Sequence, residues 1–549
     1  MRGLLILLIG VAGSIPIFSQ PFTLADTLRG GQRPERFCYD ATYYDLHVSL
    51  SPKTRTLEGY VDIYFRVVQP FERLQIDLAA GLNIDSIVYR ADTLVYERLY
   101  DAVFVSFPDS LQAGDSAVFR VYYGGAPRQA PLPPWDGGLI WERTAGMPWL
   151  SVACEYQGAS IWWPCKDDVS DEPDSMGIHI TLPRIDSLSC VSNGRLRGVS
   201  EGDSTRTWHW FVANPINLYN ITFYTGPYRH FTLPYTGITG NYELDFYVRP
   251  QNFKKARKHF QQAVDVMRFF EYTFGPYPWW EDGFKLVESS YAGMEHQSAI
   301  AYGYGYANMP GYNIDYIVLH ETAHEWWGNS VTAADMAELW LHEGFATYSE
   351  ALYIEHIEDY QGYLFYLMSQ KLMIGHRYPI IGAPGVRFNA IRRGYNWDND
   401  VYYKGAWVLH TLRSSIGEDS LFFDILKTFA QERAKSIVRT QDFIDLVNHK
   451  TGLDYSAFFK QYLSTTDVPV FLYTLRSEQP EGETESVWTL SYKWQNAVEG
   501  FEMPIWLEIG EERRHITPHA DSLRSISLGA AADFELSTQQ YLIEVKAME

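Results

Sequence analysis

Residues 317–329 read IVLHETAHEWWGN, with His320 and His324 four positions apart around Glu321 in a mostly apolar run. On a helix these two imidazoles lie one turn apart on the same face, so both can reach a single ion. Glu321 points to one side, near enough to take a proton from water on that ion. A lone histidine on such a face is more often a core residue than a ligand. Yet in a chain with 15 histidines this five-residue pattern arises by chance in roughly one such sequence in fifty. Catalytic zinc usually keeps three protein ligands and leaves one position for water. Glu343, in ELWLHEGFATYSE, follows His324 after 18 intervening residues. That interval lets the first helix end, a loop turn, and a second helix bring a carboxylate back. His342 points elsewhere on that helix and is expected behind the ligands or at the surface. Glu350, two turns beyond Glu343, is placed to hydrogen-bond a ligand imidazole from behind.

The elements that must hold these groups are written in the periodicity. From about residue 40 to 248 polar and apolar residues alternate: DLHVSL puts Leu46, Val48 and Leu50 on one face, and YVDIYFRVV does the same with Val61, Ile63, Phe65 and Val67. Helical spacing takes over with Phe260, Val264, Met267, Phe270 and Phe274, until Gly275 and Pro276 stop the helix. Further helical patterns run to about residue 466, with Thr440 as the N-cap of one of them. Alternation then returns in WTLSYKW, PIWLEIG, SISLG and YLIEVK, enough strands for a small sandwich, with RSEQPEGETES as a hairpin loop. The expected organisation is a multidomain α+β protein: residues 21–248 as a β domain, 249–466 mainly helical, and 467–549 a C-terminal β-sandwich.

A chain of 549 residues, 46% hydrophobic, can bury large cores. Its 67 acidic against 45 basic residues give a formal charge of -22, a surface that repels phosphate backbones and anionic lipid headgroups, so nucleic acid is not expected as a partner. The start, MRGLLILLIGVAGSIPIFSQ, has one basic residue followed by an apolar stretch too short and too Gly/Pro-broken for a membrane span. A cleaved export signal over residues 1–20 is expected, with a periplasmic or secreted mature chain that has no membrane span. Export permits disulfides, and Cys38, Cys154, Cys165 and Cys190 allow three pairings that sequence does not choose between.

The two motif segments HETAHEWWGNSVT and LWLHEGFATYSE resemble the gluzincin zinc aminopeptidases of peptidase family M1, which include aminopeptidase N and the leukotriene hydrolases. The resemblance implies a saddle-like N-terminal β domain and a thermolysin-like catalytic domain. It also implies a C-terminal β-sandwich, here in a short form without the large helical domain that many relatives add. It implies one zinc ion on His320, His324 and Glu343, with Glu321 as general base. YAGMEHQSAIAY is similar to the family's G-x-M-E-N exopeptidase motif. This puts Gly293 and Met294 at the substrate and Glu295 on its free amine, while Ala292 and His296 depart from the pattern. Glu155 aligns with a second amine-binding position, with Gln157 in reserve. NDVYYKGAWVLHTL is similar to a Y-x-K-G segment that makes Tyr402, rather than Tyr403, the donor to the oxyanion. The implied reaction is removal of the N-terminal residue from peptides with a free N-terminus, through a zinc-activated water. An epoxide-opening zinc enzyme of the same fold and a catalytically inactive peptide-binding relative are the alternatives, with an endopeptidase third.

Overall fold

The computed structural model describes residues 23–30, 33–382, 399–479, 486–530 and 533–548. The proposed signal segment lies outside them. Alternation in the first region produces an eight-stranded sheet whose centre is Ser175–Pro183, Tyr39–Ser51, Thr56–Val67 and Ser116–Gly125. Leu46, Val48, Leu50, Val61, Ile63, Phe65 and Val67 are all buried on its inner face, as their period of two requires. A four-stranded sheet (Gly138–Thr144, Met147–Ala153, Ser189–Ser192, Phe223–Gly226) shares its core, through Leu150, Val152, Val191 and Phe223. The strand Met147–Ala153 matters most for the site, because it ends just before Glu155.

The hairpin Arg229–Thr236 and Asn241–Val248 alternates like the strands before it. Nevertheless Asn241–Val248 pairs in parallel with Phe284–Glu288, giving a five-stranded sheet that also holds Ile300–Tyr302 and Gly293–Met294. Leu233, Leu244, Phe246 and Val248 pack in the same cluster as the helices that follow. By pairing and packing, residues 229–248 therefore go with the helical region, ahead of the boundary expected after residue 248. Helix Gln262–Phe274 buries Met267, Phe270 and Phe274, the two rings packing on Trp326, and ends at Gly275, whose φ of 111° suits glycine. Phe260 lies just before this helix, buried in the same cluster, and Val264 is only partly buried.

Helix Tyr316–Ala323 carries the first motif and helix Trp340–Ile357 the second. Asp315 caps the first, accepting from the backbone N–H groups of Ile317 at 2.8 Å and Val318 at 3.2 Å, a contribution of about 1 kcal/mol. Helix Trp340–Ile357 is buried on nearly every side and crosses helix Tyr403–Ile416 at a glycine pair. A Cβ on Gly405 would lie 2.8 Å from the Gly344 Cα, so any side chain there would push the helices apart. This close crossing carries Tyr402, at the start of the second helix of the pair, to the neighbourhood of Glu343.

At the C-terminal end, Val470–Glu478 and Val487–Gln495 form the expected hairpin in a four-stranded sheet with Arg524–Gly529 and Glu544–Ala547, beside a second hairpin, Ile505–Ile509 with Glu512–Ile516. Phe471, Trp494 and Phe501 join the cluster of the helical region, so this β unit packs on the helices and shares their core. The four cysteines are buried thiols. Among the described residues no helix is long and apolar enough to cross a membrane.

Candidate metal centre

His320 Nε2 and His324 Nε2 stand 3.1 Å apart, and each lies 3.4 Å from Glu343 Oε2. Zinc bonds of about 2.0–2.1 Å in tetrahedral geometry place ligand atoms about 3.3 Å from one another. The three donors match that spacing. Glu343 Oε2 is buried and accepts no hydrogen bond, an expensive condition for a carboxylate unless a cation meets it. The ligands' other atoms fix their orientation. His324 Nδ1 faces the Trp327 carbonyl at 2.9 Å and His320 Nδ1 faces Glu350 Oε1 at 2.6 Å, so each Nδ1–H donates outward. Both Nε2 lone pairs then point at the common centre. The donor set, two imidazoles and a carboxylate with room for one more ligand, is that of catalytic zinc.

Glu350 thus stands where the spacing of the second helix predicts. Its second oxygen accepts from the Tyr366 hydroxyl and, at 3.4 Å, from Gln370 Nε2, both on helix Tyr360–Lys371. Sequence reasoning missed this pair; the signal was two polar residues four apart on one helical face. His342, expected behind the ligands or at the surface, is buried, and its Nε2 accepts from the Ala333 N–H at 2.8 Å. Burial pushes its pKa down to about 3, so it serves as a neutral acceptor that ties the second helix to strand Val331–Ala333.

Glu321 and Glu295 each place a carboxylate oxygen within 4.8 Å of a His324 nitrogen and of one another. Burial is the main cause that raises the Glu321 carboxyl, to about 8, with the His320 imidazole opposing it and Glu295 adding to it. Gly293 explains how the two segments fit: a Cβ there would collide with Glu321 Oε1. Glu295 is fixed through its backbone carbonyl, which accepts from Asn329 Nδ2 at 2.8 Å, and through a 3.3 Å bond from the Tyr219 hydroxyl. Next to it His296 points into the β domain, its Nδ1 2.6 Å from the Tyr224 hydroxyl, so the departure from the motif at this position leaves Glu295 at the centre. Met294 is buried in the β-domain cluster.

Glu155 and Gln157 separate cleanly. The Gln157 amide is committed, its Oε1 accepting from the Gly137 N–H at 2.8 Å and its Nε2 donating to Asp136 at 3.3 Å. Glu155 Oε1 is buried and accepts no hydrogen bond. Burial, followed by the nearby charges of Glu295 and Glu343, pushes the Glu155 carboxyl well above the usual carboxylate range. The two tyrosines separate as well. The Tyr402 ring lies 6.3 Å from that of His320, and its hydroxyl lies 3.1 Å from that of Tyr156. Burial and then Glu343 raise the Tyr402 phenol, whereas for Tyr403 the charge that acts is Glu350, behind the ligands. Tyr156 and Tyr219, both from the β domain, carried no motif that could have pointed to them.

Residues 259–462 match the peptidase family M1 domain. The chain is 24% identical over 358 residues to leukotriene A-4 hydrolase of Xenopus laevis, covering 62% of this chain and 55% of that one. It is 26% identical over 529 residues to aminopeptidase N of Haemonchus contortus, covering 86% and 52%. The chain therefore spans about half the length of these relatives. In fold it is similar to an M1 zinc metallopeptidase from Deinococcus radiodurans, solved bound to a Tyr-Ser-Ala substrate. The TM-score is 0.65 at 23% identity, over 79% of this chain and 95% of that one.

Proposed function

From the M1 domain in residues 259–462 we propose that this chain is a zinc-dependent aminopeptidase that removes the N-terminal residue of peptides. The observation that carries this reading is the pair of buried carboxylates beside the triad, Glu295 and Glu155, the latter with an oxygen that accepts no hydrogen bond. An ammonium group, with its positive charge and three N–H donors, is the substrate group such a pair fits. An internal peptide segment offers no such cation, and an epoxide has none.

His320, His324 and Glu343 would hold a zinc ion, which when bound would supply Lewis acidity and make a water easier to deprotonate. Glu321 accepts the proton of the attacking water and returns it to the leaving amine. Tyr402 donates its hydroxyl to the oxyanion, with Tyr156 orienting that hydroxyl. Glu155 and Glu295 hold the α-ammonium, setting how far the chain end reaches past the metal. Residues 1–20, with Arg2 ahead of a short apolar run, support action outside the cytoplasm.

Glu295→Gln tests the amine anchor. It keeps the side-chain shape but removes one charge-assisted bond, so KM for a free aminoacyl amide should rise roughly 10- to 100-fold. Zinc content should stay the same. An unchanged KM would remove Glu295 from amine binding.

A further inference from the structure

We infer that Asp45, His47 and His179, on the outer face of the eight-stranded sheet, form a second metal site that takes a borderline divalent cation such as zinc. Strands Tyr39–Ser51 and Ser175–Pro183 run parallel with His47 opposite His179, and Thr205–Val212 runs antiparallel with His209 opposite His179. Three imidazoles thus occupy one rung across three adjacent strands. Their sequence neighbours Leu46, Val48, Ile178, Ile180, Trp208 and Trp210 are buried on the other face, which commits the histidines to the outer one.

Asp45 joins the rung because a strand repeats every two residues, which sets it beside His47 on the same face. Its Oδ2 lies 3.2 Å from His47 Nε2 and its Oδ1 lies 2.9 Å from His179 Nε2. One ligand atom from each of the three residues falls within 4.8 Å of the others, the relation also found for His320, His324 and Glu343. The space is kept open by Gly177, where a Cβ would come within 2.6 Å of Asp45 Oδ1 and 3.3 Å of His179 Nε2.

The outer partners resemble those of a ligated histidine. His179 Nδ1 meets His209 Nδ1 at 2.7 Å, and His209 Nε2 meets Ser200 Oγ at 2.7 Å. With His179 Nδ1 engaged by this relay, its Nε2 is left for a cation that also meets the Asp45 carboxylate from one side of the pair. The Tyr60 ring stacks under His47 at 4.4 Å and holds that imidazole in the rung. The side chains of Asp45, His47 and His179 are 27, 31 and 19% exposed, so an ion can enter from solvent and keep water in its remaining positions. Two imidazoles and one carboxylate suit zinc, nickel or copper, whereas magnesium and calcium prefer all-oxygen shells. Bound there, the ion links two strands of the sheet that no disulfide joins.

The test is zinc stoichiometry of the holoprotein, first loaded with one equivalent and then dialysed against rising Zn(II) alone. The wild type is expected to take up a second equivalent, whereas His179→Ala and Asp45→Asn bind it at least 10-fold more weakly while retaining the first. Cobalt(II) added to the one-zinc form should give visible absorption that His47→Gln removes. Because His47 is the most exposed ligand, this variant reads the site even if His179→Ala folds poorly. A wild type that saturates at one equivalent, or a second equivalent undiminished in His47→Gln and Asp45→Asn, overturns the site.

Discussion

Glu343→Ala is expected to release zinc on dialysis and to take peptide hydrolysis down to background. The Glu343 carboxylate is 3% exposed and supplies the only anionic donor of the triad, at 3.4 Å from both imidazole nitrogens. Losing a partner behind a ligand costs about 10- to 100-fold in metal affinity. Losing the ligand itself should exceed that range, because two neutral imidazoles remain to share a doubly charged ion. The fold should survive: the side chain leaves a buried space beside helix Tyr403–Ile416, and an unpaired buried charge leaves with it. Metal analysis after dialysis, alongside circular dichroism, separates loss of the ion from loss of structure. Full zinc content with wild-type turnover would show that Glu343 is no ligand.

The second large effect belongs to Glu321. Glu321→Gln should keep one zinc per chain and a near-normal KM while kcat falls about 10²- to 10⁴-fold, the range for removal of a positioned general base. Glutamine fits the same volume, so the tight contact with Gly293 is undisturbed. The contrast with Glu343→Ala is the informative part: one variant loses the ion, the other keeps it and loses the proton transfer. A Glu321→Gln protein with unaltered kcat would place the base elsewhere.

Much of the centre was legible because its spacing is local. His320 and His324 share a face by helix geometry alone, and the 18-residue interval to Glu343 needed only one loop between two helices. The alternation around Leu46 and Val61 likewise marked strands that are buried on one side. Three features were harder to read. Helix Trp340–Ile357 is buried almost all round, so no amphipathic stripe shows which side carries Glu343. The hairpin 229–248 alternates like its predecessors, and its parallel pairing with Phe284–Glu288 and its packing in the helical cluster assign it to the following region. Tyr156 and Tyr219 reach the centre from turns of the β domain, through long-range packing that periodicity does not encode. His342 illustrates the same limit: its neighbours on the helix said nothing of the Ala333 N–H that it accepts.

Matched aminoacyl amides, one set with a free amine and the other N-acetylated, assayed before and after chelation, probe the metal and the acidic anchor together. Free-amine compounds should be hydrolysed, acetylated ones left intact, and chelation should stop turnover until zinc is restored. Equal hydrolysis of acetylated compounds, or a rate indifferent to chelation, would be incompatible with a zinc centre that measures one residue from a peptide's amino end.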